Sequence, residues 1–290
     1  MPNLFEPKYI NALATKYGFQ FKKSLGQNFL INPTVCPKMA NAAVLDGVEG
    51  IIEIGPGFGV LSAELVKVAK RVVAIELDNR IPQVLSETLA DANNFEVILE
   101  DAMKCDFHKL IKEKFGNMKV AICANLPYYI TSPIIMRLLE EKLPVESIVV
   151  MVQKEAADRI CARVGSRQAG AVTVAVNYYS QAEQLFNVSK GSFLPAPKVD
   201  SSVIKLTIRK EPPVKIIDEK LYFKIVKAAF AQRRKTFVNS VSSSTQIPKA
   251  TIIKILNELN ISPEIRAEKL TDEQFADISN NLKHYIDKGE

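Results

Sequence analysis

The stretch "GIIEIGPGFGVL", residues 50–61, decides the fold. An apolar run ends at Ile54, and glycines follow at 55, 57 and 59. So apolar a strand is buried on both faces, as strands of parallel sheets are. Glycines directly behind it let the backbone turn tightly and come close to a ligand before a helix begins. "GVLSAELVKVA" (59–69) has apolar residues at three–four spacing and supplies that helix. The spacing is G-x-G-x-G, not the G-x-G-x-x-G of nicotinamide sites, and an acid, Glu53, stands inside the strand.

The same alternation continues outward. "RVVAI" (71–75), "FEVIL" (95–99), "KVAIC" (119–123) and "SIVVMV" (147–152) read as strands. "RIPQVLSETLA", "FHKLIKEKF" and "SPIIMRLLEEK" read as the helices between them. Short buried runs alternating with amphipathic helices predict an α/β fold: a Rossmann-like sheet with helices on both faces. "QAGAVTVAVNYY" (168–179) is read as a helix, followed by strands near 182–188 and over 199–208. Pro212-Pro213 in "RKEPPVK" reads as a linker. Beyond it, helices are expected over 219–232, 248–259, 263–267 and 271–287, with Ser262 and Thr271 as caps and "SVSSSTQ" (240–246) as a polar loop. The division is therefore a catalytic domain over 1–210 and a small all-α domain over 211–290.

Composition narrows the chemistry. The 290 residues are 47% hydrophobic and 24% charged, as in ordinary globular proteins. No window reaches membrane-spanning length, and "MPNLFEPKYI" lacks the apolar core of a secretory signal, so a cytoplasmic protein is expected. The four cysteines form no C-x-x-C pair, and there are only two histidines, so neither a metal site nor histidine catalysis is expected. The net charge is +6, and it is concentrated. Residues 7–45 hold five lysines and no acid, and residues 198–235 hold eleven lysines and arginines against four acids. Two basic patches suit a phosphate-rich partner.

The strand ends carry the candidate site. Glu76 ends the second strand, 21 residues after Gly55, where an acid can take both hydroxyls of a ribose. Asp101, after the third strand, is placed to accept from an adenine amine, although a turn-capping role fits it nearly as well. The fourth strand ends in "ANLPYYI", and Pro127 must stop it because proline cannot donate to a ladder. That leaves the Asn125 side chain and the Leu126 carbonyl as two stiffly held acceptors beside the Tyr128 ring.

E-x-G-x-G-x-G, the acid ending strand two, D-A after strand three and N-L-P-Y after strand four resemble a class I S-adenosylmethionine (AdoMet)-dependent methyltransferase. "KKSLGQNFLIN" (22–32), "SFLPAPKVDSSV" (192–203) and "FAQRRKTFVNS" (230–240) narrow the resemblance to the 16S ribosomal RNA adenine N6-dimethyltransferase family, over about residues 18–275. The resemblance implies a cofactor site of Asn28, Leu30, Gly55, Gly57, Glu76, Asp101, Ala102 and Asn125. It implies a target-base site of Asn125, Leu126, Pro127 and Tyr128, with Phe193, on an exposed stiff loop, covering the other face of the base. It also implies RNA contacts from Lys22, Lys23, Arg233, Arg234 and Lys235, the last three ending the first helix after the linker. The expected partner is 16S ribosomal RNA within the 30S subunit or its precursor, and the protein is expected to be a monomer without a metal. Two positions depart from the family: Phe58 in the glycine loop, and Tyr129 where many members have asparagine. The alternatives are a 23S adenine methyltransferase and a non-catalytic RNA-binding assembly factor of the same fold.

Overall fold

The structure, a computed structural model, describes residues 4–19 and 29–287. Its strands are β1 (Phe29–Leu30), β2 (Gly50–Ile54), β3 (Arg71–Glu76), β4 (Phe95–Leu99), β5 (Val120–Asn125), β6 (Ser147–Gln153), β7 (Ser180–Val188), β8 (Phe193–Leu194) and β9 (Ser201–Ile208). Seven of them form one sheet in the order β4-β3-β2-β5-β6-β9-β7. Strands β4 through β6 pair in parallel, and β9 runs antiparallel to β6. Every residue of β2 is buried, as are all but the last of β5 and β6, so both faces of the sheet centre are covered. The alternating pattern of the first 150 residues thus gives the α/β sheet it predicts. From β2 the chain runs outward through β3 and β4, and β5 returns to the other side of β2. Between β2 and β5 the strand order reverses, and ligands of open sheets bind outside the carboxyl ends at such a point.

The helices are α1 (Pro7–Lys16), α2 (Val35–Ala43), α3 (Ser62–Val68), α4 (Ile81–Thr88), α5 (Phe107–Phe115), α6 (Thr131–Glu140), α7 (Lys154–Ile160), α8 (Ala171–Tyr179), α9 (Glu219–Phe230), α10 (Phe237–Ser244), α11 (Lys249–Glu258) and α12 (Asp272–Asp287). The described chain divides into two compact units, residues 1–157 with 181–208 and residues 158–180 with 209–290. The first unit holds the sheet centre. Its β1 and β8 pair antiparallel, with Phe29 opposite Leu194 and Leu30 opposite Phe193. This pair brings two motifs together across about half the chain.

The second unit is helical. Tyr222 and Ile225 of α9, Phe237 of α10, Ile255 of α11 and Phe275 of α12 are fully buried. Helix α8 belongs to this unit: the Asn177 amide donates to Asp272 at 2.8 Å, and the Tyr179 ring stacks on Phe223. Thr271 caps α12 as expected, its hydroxyl accepting from Gln274 N–H at 3.3 Å.

Two expectations fail here. Residues 240–246 are not a polar loop, because α10 runs through them to Ser244. The serines do not compete with the helix: Ser240 is buried and donates to the Ala228 carbonyl at 2.7 Å, while Phe237, Val238 and Val241 turn inward. Residues 263–267 are not a helix but a turn at Ser262 followed by a 3₁₀ turn over Ala267–Lys269. Phe237 N–H donates to the Ile265 carbonyl at 2.7 Å and holds that segment open. A smaller shift concerns Arg233, Arg234 and Lys235, which lie on the turn between α9 and α10, since α9 ends at Phe230.

Candidate active site

One cavity of about 640 Å³ opens at the carboxyl ends of β2, β3, β4 and β5, where the sheet order reverses. Leu30, Gly55, Gly57, Glu76, Asp101, Ala102, Asn125, Leu126, Pro127, Tyr128 and Phe193 all line it. Of the expected cofactor and target-base residues, only Asn28 falls outside the described residues, as Lys22 and Lys23 of the expected RNA contacts also do.

The glycine loop forms the floor. Gly55 has φ +69° and Gly57 has φ +55°, both in the left-handed region that side chains avoid. A Cβ built on Gly55 would meet nothing within 4 Å, so this backbone faces open space. Phe58, the family departure, is only 1% exposed, with its ring against those of Phe19 and Phe29 at 5.1 and 4.4 Å. Its role is to wall the loop.

The two acids of the outer strands are already held. Glu76 Oε1 accepts from the N–H groups of Leu77 at 2.8 Å and Asp78 at 2.9 Å, and Gly57 N–H also donates to this carboxylate. Burial pushes the Glu76 carboxyl above its ordinary range, and these backbone donors oppose that push. Asp101 Oδ1 accepts from Met103 N–H at 2.8 Å, and its carbonyl accepts from Lys104 and Cys105. Asp101 therefore organises its turn through Oδ1, and Oδ2 is an acceptor that a bound amine could use.

Glu53 is not among the expected site residues, yet it lines the cavity and is 1% exposed. Burial pushes its carboxyl up to about 8, and the Ser62 hydroxyl donates to it at 2.6 Å. The signal is in the sequence: an acid inside a strand otherwise built for the core has to serve something. Cys36 and Cys123 lie in the same buried surroundings, and burial holds both thiols well above their ordinary range.

Asn125 closes β5 opposite Met151 of β6, and Leu126 N–H continues that edge to the Met151 carbonyl at 3.3 Å. The chain then turns at Pro127, whose carbonyl accepts from Ile130 N–H and the Thr131 hydroxyl. Tyr128 is half-buried, its hydroxyl 2.8 Å from that of Ser201. That bond anchors the far end of the ring. Tyr129 beside it is 65% exposed at the cavity rim.

Phe193 corrects the expectation of an exposed loop, since it is only 4% exposed. Ladder pairing with Leu30, the Ile31 N–H bond to the Ser192 carbonyl at 2.8 Å and the Asn32 amide bond to the Ser192 hydroxyl pull the segment inward. The ring still lines the cavity, so it is both a core residue and a wall.

The residues fit an adenosine carrying a sulfonium tail. With strands about 4.8 Å apart, the ends of β4, β3, β2 and β5 span about 14 Å, within reach of one extended nucleoside. Asp101 matches an exocyclic amine, Glu76 two ribose hydroxyls, and the open Gly55 backbone the tail. Asn125 and Tyr128 line the same cavity at the end of β5. In the helical unit, Arg233, Arg234 and Lys235 are exposed, and Arg233 donates to the Arg167 carbonyl at 3.0 Å.

Comparison with known proteins points to one family. The family described as ribosomal RNA adenine dimethylase matches residues 18–284. Ribosomal RNA small subunit methyltransferase A of Geobacillus sp. (strain WCH70) is 45% identical over 284 residues, covering 97% of this chain and 98% of the relative. The protein of that name from Bacillus cytotoxicus is also 45% identical, over 286 residues, again 97% of this chain and 98% of the relative. Among solved structures, a dimethyladenosine transferase from Plasmodium falciparum superposes with a TM-score of 0.72 at 27% identity, covering 90% of this chain and 98% of that one. The 23S rRNA methyltransferase ErmE superposes with a TM-score of 0.66 at 25% identity, covering 88% of this chain and all of that one.

Proposed function

The chain belongs to the ribosomal RNA adenine dimethylase family, and from that membership we propose that it dimethylates N6 of two adjacent adenosines in the 3′-terminal hairpin loop of 16S ribosomal RNA, in the small subunit or its precursor. It is an AdoMet-dependent methyltransferase acting on ribosomal RNA. The observation that supports the reading most is that Asn125–Tyr128 closes the same cavity into which Glu76 and Asp101 open.

The residues to hold AdoMet are Leu30, Gly55, Gly57, Glu76, Asp101, Ala102 and Asn125, together with Asn28 from the sequence. When bound, AdoMet supplies a methyl group on a sulfonium, an electrophile that needs no further activation. The difficulty lies with the adenine amine, whose lone pair is delocalised into its ring and whose protons are too weakly acidic for a carboxylate to remove. The Asn125 side-chain oxygen and the Leu126 carbonyl accept its two N–H groups and favour a pyramidal nitrogen. Pro127 keeps both acceptors in place, so positioning supplies most of the acceleration. Tyr128 stacks on the target base and Phe193 covers its other face, each such contact contributing roughly 1–3 kcal/mol. The base leaves its loop to reach the slot. The amine nitrogen gains the methyl as the bond from that methyl to sulfur breaks, the methylated nitrogen then releases one proton to water, and one acceptor still holds the N–H that remains.

Arg233, Arg234 and Lys235 bind phosphates of the folded RNA, joined by Lys22 and Lys23. We assign the catalytic part to residues 1–210 and RNA docking to 211–290, and the protein acts in the cytoplasm as a monomer. The likeness to a 23S enzyme favours one second reading, methylation of the large subunit. The test is methyl transfer from labelled AdoMet to unmethylated 30S and 50S subunits, with the labelled nucleoside identified. N6,N6-dimethyladenosine from 30S alone is expected. Label in 50S would install the 23S reading, and binding without label in either would leave a non-catalytic assembly factor.

A further inference from the structure

Arg137 lies six residues into α6, about 9 Å along the helix from Thr131, where the target-base loop ends. Its side chain is 19% exposed, and its guanidinium is engaged along every edge. Nη1 donates to the Ala102 carbonyl at 2.6 Å and Nη2 to the Cys105 carbonyl at 2.6 Å. Nε donates to Glu141 Oε1 at 2.6 Å, and the guanidinium lies over the Phe107 ring at 5.4 Å. The two carbonyls belong to the turn after β4 that begins at Asp101. Met103 N–H, between them, is tied to Asp101 Oδ1. One planar fork thus grips both ends of the turn that presents Asp101 to the cavity, while Glu141 and Phe107 fix the fork's own orientation. A lysine cannot do this, because a single ammonium lacks the two parallel N–H groups that reach both carbonyls.

We propose that Arg137 is a positioning residue for the adenine end of the cofactor site, holding Asp101 in register from the same helix that begins at the target-base loop. The proposal rests on the assignment of Asp101 to the exocyclic amine of AdoMet. Arg137 touches neither ligand: it sets where the Asp101 turn sits, and α6 carries that setting to the loop of Asn125 and Tyr128. Cofactor discrimination at the adenine amine therefore depends on a side chain outside the cavity.

The test is calorimetric binding of two probes, S-adenosylhomocysteine and its inosine counterpart, in which the amine is a carbonyl. Wild-type protein should prefer the adenosine probe by about tenfold or more, since the carbonyl cannot donate to Asp101. In Arg137→Met the Kd for S-adenosylhomocysteine should rise about tenfold and the preference should fall to about threefold or less, the scale of one charge-assisted hydrogen bond made with poor geometry. Arg137→Lys should lie between, and carries the same readout if the methionine variant does not fold. An unchanged preference, or an equal loss for both probes, would overturn the positioning role and leave Arg137 a general structural support. A wild-type protein that binds both probes alike would instead overturn the Asp101 assignment itself, so the two failures are told apart on different proteins.

Discussion

At one end of the cavity Glu76 already takes three backbone N–H groups, and the Asp101 turn is tied from within and gripped by Arg137. At the other end Tyr128 is fixed by one hydroxyl contact, and Tyr129 stands 65% exposed at the rim. On the proposed function the first end takes the cofactor, and a site finished before any ligand arrives suits a small molecule, which repays preformed geometry with affinity. The second end presents two acceptors and an aromatic face, and RNA must bring the rest. A nucleotide drawn from a folded RNA arrives with its own constraints, so the protein builds only the part that chemistry needs.

Breaking the finished end should give the largest binding effect. Glu76→Ala removes the acceptor for two hydroxyls and orphans three backbone donors, so the Kd for S-adenosylhomocysteine should rise about 100-fold. RNA affinity measured by filter binding should not change. Comparable losses in both would mean that the two ends are not separable.

The next effect lies in the helical unit. Reversing Arg233, Arg234 and Lys235 to glutamate should weaken RNA binding about tenfold or more near physiological salt. The salt slope should fall by about 2–3, because each phosphate that is no longer neutralised lowers it by a little under one. Cofactor affinity should hold. An unchanged slope would move RNA docking to another surface.

A third effect is on stability beneath the cofactor end. Glu53 has its folded carboxyl pushed up to about 8, so the native state keeps a proton that the unfolded chain releases above its ordinary value near 4.5. The associated stability is present at low pH and is lost as pH rises toward 8. At about 1.4 kcal/mol per unit, this group alone costs about 2 kcal/mol between pH 6 and pH 8. Glu53→Gln should remove that slope, read by urea unfolding at the two pH values. Parallel pH profiles would mean that Glu53 is ionised in the folded protein.

The finished end is the more legible in sequence. Glycines at 55 and 57, an acid closing β3 and another after β4 are local signals, and each stands where its spacing places it. The helix over 107–115 is found as read, because its apolar spacing and the Asp106 cap agree. What stays hidden depends on partners far along the chain. The prolines flanking Phe193 suggest a stiff exposed loop, and only pairing with Leu30 buries it. Ser240 reads as loop chemistry until the Ala228 carbonyl makes it a helix residue. Arg137 gives no signal, since an arginine on an amphipathic helix usually faces water. Residues 158–180 lie ahead of the Pro212-Pro213 linker, yet α8 packs among helices that follow it.

The acceptors at the unfinished end carry the proposed mechanism. The most direct measurement is methyl transfer by Asn125→Ala on unmethylated 30S subunits, at saturating AdoMet and RNA, with RNA affinity measured on the same preparation. Turnover lower by about 100-fold or more, the scale of losing one preorganised polar group at the reacting centre, is predicted, with RNA affinity retained. Near-normal turnover would contradict the assignment of Asn125 as an acceptor for the target amine, and the mechanism with it.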